Sequence, residues 1–130
     1  MDDIIQLKIT LQWTKPPIWR RVLVDRKTTF FKLHHIIQIA MGWENCHLYE
    51  FKAHNYRIGE PNEEFDDFFA SDKLVDASTV TLDSVITVTK EQFEYEYDFG
   101  DGWTHQIIVE KFLPFENKTN YPICTDGKLN

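Results

Sequence analysis

The amino-acid sequence predicts an α+β fold, a mainly antiparallel sheet with one principal amphipathic helix packed on one face, and three observations predict it. Ile5, Leu7, Ile9, Leu11 and Trp13 alternate with Gln6, Lys8, Thr10 and Gln12, the period of a strand with one wet face. Phe30, Leu33, Ile36, Ile37 and Ala40 recur at helical spacing. Phe93, Tyr95, Tyr97 and Phe99 alternate with Glu94, Glu96 and Asp98, and the alternation resumes beyond Gly100-Asp101-Gly102 as Trp103, His105, Ile107 and Val109. Two such runs around a glycine-rich turn make a β-hairpin.

The first strand spans residues 4 to 14 and must stop at Lys15-Pro16-Pro17, because neither proline can donate to a ladder. Ile18 to Val24 then reads as its antiparallel partner. Asp25 to Thr28 is a polar connection, with Thr28 or Thr29 as the N-cap of the helix Phe30 to Met41. Lys32, His35 and Gln38 lie elsewhere on the helical wheel. Gly42 stands where a left-handed C-terminal residue belongs, and Trp43 is placed to fold back over the helix end. Cys46 to His54 alternates again, with His47, Tyr49, Phe51 and Ala53 on one side, and predicts a third strand.

Gly59, Pro61 and Asn62 lead into the acidic, aromatic-spotted stretch Glu63 to Phe69, read as a long surface loop over 60–72. Thr81 to Ile86 fits either a single capped helical turn or a short strand. In the hairpin, a three-residue loop, Gly100-Asp101-Gly102, puts Tyr95 and Tyr97 on one face with Trp103 and Ile107, since a one-residue slip would flip every side chain. Gly102 takes the left-handed position that such a loop requires. Phe112-Leu113-Pro114 leaves the sheet, and Tyr121 to Gly127 reads as an ordered turn.

With 130 residues the chain is expected to be one domain, 1–130, large enough to bury a core. No apolar run approaches a membrane span and Met1-Asp2-Asp3 lacks a basic leader, so a cytoplasmic protein without membrane contact is expected. Two cysteines, Cys46 and Cys124, are too few for a disulfide framework. The net charge of −7, from 21 acidic and 14 basic residues, disfavours nucleic acid as the partner, because phosphate neutralisation needs clustered cations. The one compact basic cluster is Arg20-Arg21 with Arg26-Lys27, which a solvated strand edge explains more simply than DNA binding does.

Several motifs occur together and in order: Pro16-Pro17-Ile18-Trp19-Arg20-Arg21, Leu33-His34 with Ile37-Gln38, Gly42-Trp43, His47-Leu48-Tyr49 with Phe51, and Tyr95 to Trp103 with His105. In these the chain resembles the plasmid pRi ORF-three-like family of bacterial and archaeal proteins, often carried on plasmids and mobile elements. The resemblance covers nearly the whole chain. It implies a single α+β domain without an established activity. Some members carry a resolvase-like label, which no serine-nucleophile context in this sequence supports. The family pattern continues past the Pro-Ile-Cys turn into a Pro-Pro-Glu-Asp-x-Gly-Gly segment and further helices, so the resemblance implies that this chain lacks a C-terminal segment.

Asp98, Asp101 and His105 surround one turn, and His47 approaches from a neighbouring strand. Carboxylates with imidazole are the ligands of a divalent metal, and His is a general base. The plainer reading makes Asp101 the turn former, Asp98 a cap for neighbouring amides and His105 a core imidazole with one satisfied nitrogen. Register favours the plainer reading, because Asp98 falls on the polar face while His105 falls on the apolar face opposite Tyr97. His34 and His35 point roughly 100° apart on the helix and cannot share an ion. Trp13, Trp19, Trp43 and Trp103 suit a stacking platform, but at inward strand positions they are expected in the core. Cys124 has no nearby histidine to activate it.

The sequence thus favours a non-catalytic protein-binding module of a mobile-element protein, using the acidic hairpin tip and the 60–72 loop to meet a basic partner. No cofactor is expected. The rival reading is a metal-dependent hydrolase or nuclease-like enzyme using His47, Asp98, Asp101 and His105 with a divalent metal. A third is DNA binding through Arg20, Arg21, Arg26 and Lys27.

Overall fold

Alternation and helical spacing become a sheet crossed by one helix in the computed structural model, which describes residues 3–12, 16–42, 49–60, 74–97, 103–117 and 119–128. The elements are β1 (Ile4–Leu11), β2 (Ile18–Asp25), α1 (Phe30–Met41), β3 (Tyr49–Ala53), β4 (Tyr56–Gly59), β5 (Leu74–Asp76), β6 (Gln92–Tyr97), β7 (Trp103–Leu113) and β8 (Ile123–Lys128). They form one sheet in the order β5-β4-β3-β6-β7-β1-β2-β8. The β4–β5 pairing is parallel and the other six are antiparallel.

Alternate residues of the long strands point to the helix side and close the core: Leu7 and Ile9 of β1, Val22 and Val24 of β2, Tyr95 of β6, Ile107 and Val109 of β7. Phe30, Leu33, Ile36 and Ile37 of α1 meet them. Phe30 and Phe51 pack edge to face at 5.2 Å, an arrangement that suits the aromatic quadrupole.

Both ends of α1 are closed by the residues that the sequence offered. The Thr29 side chain accepts from the Lys32 N–H. Gly42 adopts φ 77°, and its N–H donates to the Gln38 and Ile39 carbonyls. The start of α1 is also tied to the chain before β6, since the Phe30 N–H donates to Val80 O and the Leu82 N–H to Thr28 O. Thr81 bridges to Thr29 and precedes a short 3-10 helix, Leu82–Ser84, so that stretch combines a bridge with a helical turn.

Four expectations change. Tyr97 pairs with Trp103 and Tyr95 with His105, a register two residues away from the one that the expected Gly100-Asp101-Gly102 loop requires, and residues 98–102 themselves lie outside the described residues. The facing of the side chains is as expected, because a slip of two residues preserves it. Residues 56–59, expected to lead into a loop, form β4 through the two-residue connection His54-Asn55. Gly59 fits there because a Cβ would lie 2.8 Å from the Tyr49 carbonyl oxygen. Tyr121 to Gly127 is not a turn, since Ile123–Lys128 pairs with β2. That pairing makes β2 an interior strand rather than an edge.

Candidate functional site

The polar groups on the helix side of the sheet converge on Tyr95. Leu33, Ile37 and Phe30 set the buried face of α1, and His34 and Gln38, four residues apart, fall on the same face, although the spacing placed Gln38 elsewhere on the wheel. His34 is 1% and Gln38 2% exposed. Tyr95 rises from the middle of β6 between them and is fully buried.

The Gln38 amide donates to the Tyr95 hydroxyl oxygen at 2.9 Å, and His34 Nδ1 lies 2.6 Å from the same oxygen. Which of the hydroxyl and Nδ1 donates in the second contact depends on the imidazole tautomer. The His34 ring also stacks on Tyr49 of β3 at 3.6 Å with the planes 6° apart. On β7, His105 is fully buried, with Nδ1 3.3 Å from the Tyr95 carbonyl oxygen. Burial pushes the Tyr95 phenol well above its ordinary pKa, an effect the Gln38 hydrogen bond partly offsets. Tyr49 is pushed up as well, first by burial and then by the charges of Glu60 and Asp76. Among the described residues its buried hydroxyl has no hydrogen-bond partner.

This cluster holds polar groups in a water-excluded setting and orders the contact between helix and sheet. Sequence reasoning placed His34 on the flank of the packed stripe and missed the network; the signal was two polar residues spaced i, i+4 beside Leu33 and Ile37.

Of the expected metal or catalytic residues, His47, Asp98 and Asp101 lie outside the described residues, as does most of the 60–72 loop. The described strand ends next to them come together: Tyr49 pairs with Tyr97, and Tyr97 with Trp103. His105 stands in the core opposite Tyr95, not Tyr97. Among the described residues no group of three His, Cys, Asp or Glu side chains is arranged to hold a metal ion.

The basic residues do not form a patch. Arg20 points to the helix side, 9% exposed, where Nε donates to Ala40 O at 3.0 Å. It thereby supplies a cation to the negative end of α1, which has no basic residue in its last turn. Arg21 points to the opposite face and grips Glu110 with Nε and Nη2, at 2.7 and 3.0 Å. Arg26 pairs with Asp3 at 3.1 Å, and Lys27 is exposed. Among the tryptophans, the described side chain of Trp19 lies on the open face rather than in the core, with Lys8 Nζ 4.8 Å and Arg21 Cζ 5.1 Å from its ring centre.

That open face is a lattice of charges. Glu110 occupies a β-bulge, where the pairing shifts from Gln6↔Lys111 to Leu7↔Val109, and its carboxylate accepts from Gln6 and Arg21. Those hydrogen bonds, Arg21 first, hold its carboxyl below the usual range. Glu50 and Glu96 stand directly opposite each other on β3 and β6, Glu50 held by Arg57 at 2.8 Å and Glu96 by Lys52 at 3.6 Å. Glu94, on the same strand, is exposed.

Comparison with known proteins agrees with this architecture. Residues 3–130 match the family model for the plasmid pRiA4b ORF-3-like protein. The uncharacterized protein y4hQ of Sinorhizobium fredii (strain NBRC 101917 / NGR234) is 41% identical over 113 residues, which make up 86% of this chain and 56% of that protein. The chain therefore spans little more than half the length of that relative. The crystal structure of a protein of unknown function, MM3350 from Methanosarcina mazei Go1, is similar with a TM-score of 0.84 at 33% identity, covering 98% of this chain and 70% of the other.

Proposed function

The chain belongs to the plasmid pRiA4b ORF-3-like family, and from that premise we propose that it is a non-catalytic protein-binding module that takes a basic partner. The observation that supports this most is the acidic row of β6. Glu94 and Glu96 project from the middle of the sheet on the face away from α1. Two carboxylates directly opposite each other, as Glu50 and Glu96 are, cost a sheet stability unless cations intervene. Arg57 neutralises the buried Glu50 closely, whereas Lys52 reaches the more exposed Glu96 only at 3.6 Å. Lysine or arginine side chains of a partner would complete that neutralisation. In sequence the acidic row runs on into Asp98 and Asp101, so the charge is not confined to one strand. Complementary charge of this kind gives orientation and association rate more than affinity.

The test is calorimetric titration of the full chain with an oligo-arginine peptide, for the wild type and for a Glu94→Lys, Glu96→Lys variant, at low and high salt. Binding by the wild type that weakens with salt and is lost in the variant supports the reading. Equal binding by both chains, or none by either, overturns it. Elemental analysis of the wild type and of Asp101→Ala addresses the metal-dependent hydrolase: a stoichiometric metal lost in the variant would displace the non-catalytic reading.

A further inference from the structure

The open face of the sheet carries more than the acidic row. Among the described residues three ion pairs close there: Arg57 with Glu50, Lys52 with Glu96 and Arg21 with Glu110. Glu94 of β6 and Lys8 of β1 stand outside them, and among the described residues neither forms an ion pair. Lys111 of β7, opposite Gln6, adds to the sign of Lys8. The pairing sets the separation, since Glu94 is opposite Gln106, Gln106 is opposite Thr10, and Lys8 lies two residues from Thr10. Two strand spacings and two residues put about 12 Å between the backbones of Glu94 and Lys8. At physiological salt charges are screened over about 8 Å, so these two do not neutralise each other. Gln106 and Ile108, between them, are half-buried and uncharged. The Lys8 ammonium lies 4.8 Å from the centre of the Trp19 ring, a contact that steadies the charge without cancelling it.

Given β6 as the docking row of a basic partner, on which this rests, we infer that the partner carries both signs, with cations over Glu94 and Glu96 and a carboxylate over Lys8. A stable interface takes about 800 Å² from each partner, a patch that reaches about 16 Å from its centre. Centred on Glu94 and Glu96, such a patch covers Lys8. Towards β3 it meets charges already paired, Lys52 with Glu96 and Arg57 with Glu50; towards β1 it meets a cation that is not. A partner basic throughout would set like charge against Lys8, and like charges brought together in an interface are costly. A carboxylate there turns that cost into a pair. Two charges of opposite sign about 12 Å apart also fix the direction in which the partner lies across β6, β7 and β1.

Calorimetric titration of the full chain at low salt with two peptides tests this. Each peptide has six arginines and a Gly-Ser-Gly spacer; one ends in three glutamates and the other in three glutamines. The ratio of the two affinities, glutamate over glutamine, isolates the acidic end. It should fall about three- to fivefold from the wild type to Lys8→Gln, as for one exposed ion pair. Lys27→Gln, which removes an exposed cation from the connection ahead of α1, should leave the ratio unchanged. The Glu94→Lys, Glu96→Lys variant should lose both peptides. Circular dichroism of each variant separates a lost contact from a lost fold. A ratio that is the same in wild type and Lys8→Gln, or that falls equally in Lys27→Gln, overturns the inference and leaves the β6 row as a docking site for cations alone. Binding of neither peptide by the wild type overturns the two together.

Discussion

The two faces of this sheet use polar residues in opposite ways. On the helix side, His34, Gln38 and Tyr95 are removed from water and meet at one hydroxyl oxygen. On the open side, Arg21 with Glu110 and Lys52 with Glu96 form ion pairs that water and salt largely screen, while Arg57 holds Glu50, which is itself buried. The same strands carry both sets, one residue apart: Tyr95 faces the core, and Glu94 and Glu96 face out. The difference teaches where specificity is held. A buried polar group left without its partner costs its full desolvation, so the inner network penalises a shifted helix or strand, whereas the exposed outer pairs, Arg21 with Glu110 and Lys52 with Glu96, can exchange partners at small cost.

The largest expected effect lies on the helix side and is apolar. Phe51 is fully buried against Phe30 and lies 4.8 Å from the Tyr95 ring. Phe51→Ala should cost about 3–5 kcal/mol in denaturant unfolding, through lost transfer energy and an unfilled cavity. A loss below about 1 kcal/mol would mean that the two faces differ less than their burial says.

Tyr95→Phe sharpens the contrast, because it keeps the ring and removes only the oxygen on which His34 and Gln38 converge. It should cost about 1–3 kcal/mol, because His34 and Gln38 each lose a buried hydrogen bond. If His34→Phe is then added, the double variant should recover part of that loss, since one of the two groups that lost a bond to the hydroxyl disappears with it. Additive losses would show that the three residues are not one network.

How far these faces could be read beforehand depended on how local their cause is. The helix Phe30–Met41 and its Gly42 end were legible because spacing, cap and glycine agree within one segment. The facing of the hairpin was legible from its alternation, but its register was not, because slips of two residues leave the pattern intact. β4 was not legible because its turn, His54-Asn55, lacks the usual glycine. His54 instead holds φ 55°, with Nε2 at 3.1 Å from Val85 O and paired with Glu91, contacts from a distant part of the chain. β8 has no alternation and exists through its pairing with β2. The buried Tyr95 network escaped for a related reason, since polar residues at core positions declare themselves only when their partners are known. Of the candidate site, His105 is buried, while Arg20 and Arg21 do not share a face because adjacent strand residues point to opposite sides.

Gly42→Ala probes the helix side at its rim. Its φ of 77° is a conformation in which a Cβ is strained whatever the space around it. The substitution should cost about 1 kcal/mol by thermal unfolding, less than Tyr95→Phe because nothing buried loses a partner. A neutral result would show that the end of α1 relaxes without the rest of the face.

The smallest effect belongs to the open face and is best seen through pH. Glu110 has its pKa lowered in the folded protein, by the Arg21 hydrogen bonds first and by Gln6 as well. In the acid range the unfolded chain therefore binds the proton that the folded chain refuses. The stabilisation is complete above the unfolded pKa and disappears as pH falls through the folded one. Glu110→Gln should then lower stability by no more than about 1 kcal/mol at neutral pH, because the pair is partly exposed. The gap between wild type and variant should close on acidification and shrink with salt. A gap that holds at every pH would mean that the carboxylate matters for its shape in the bulge rather than for its charge. The open face would then resemble the buried one more than its exposure suggests.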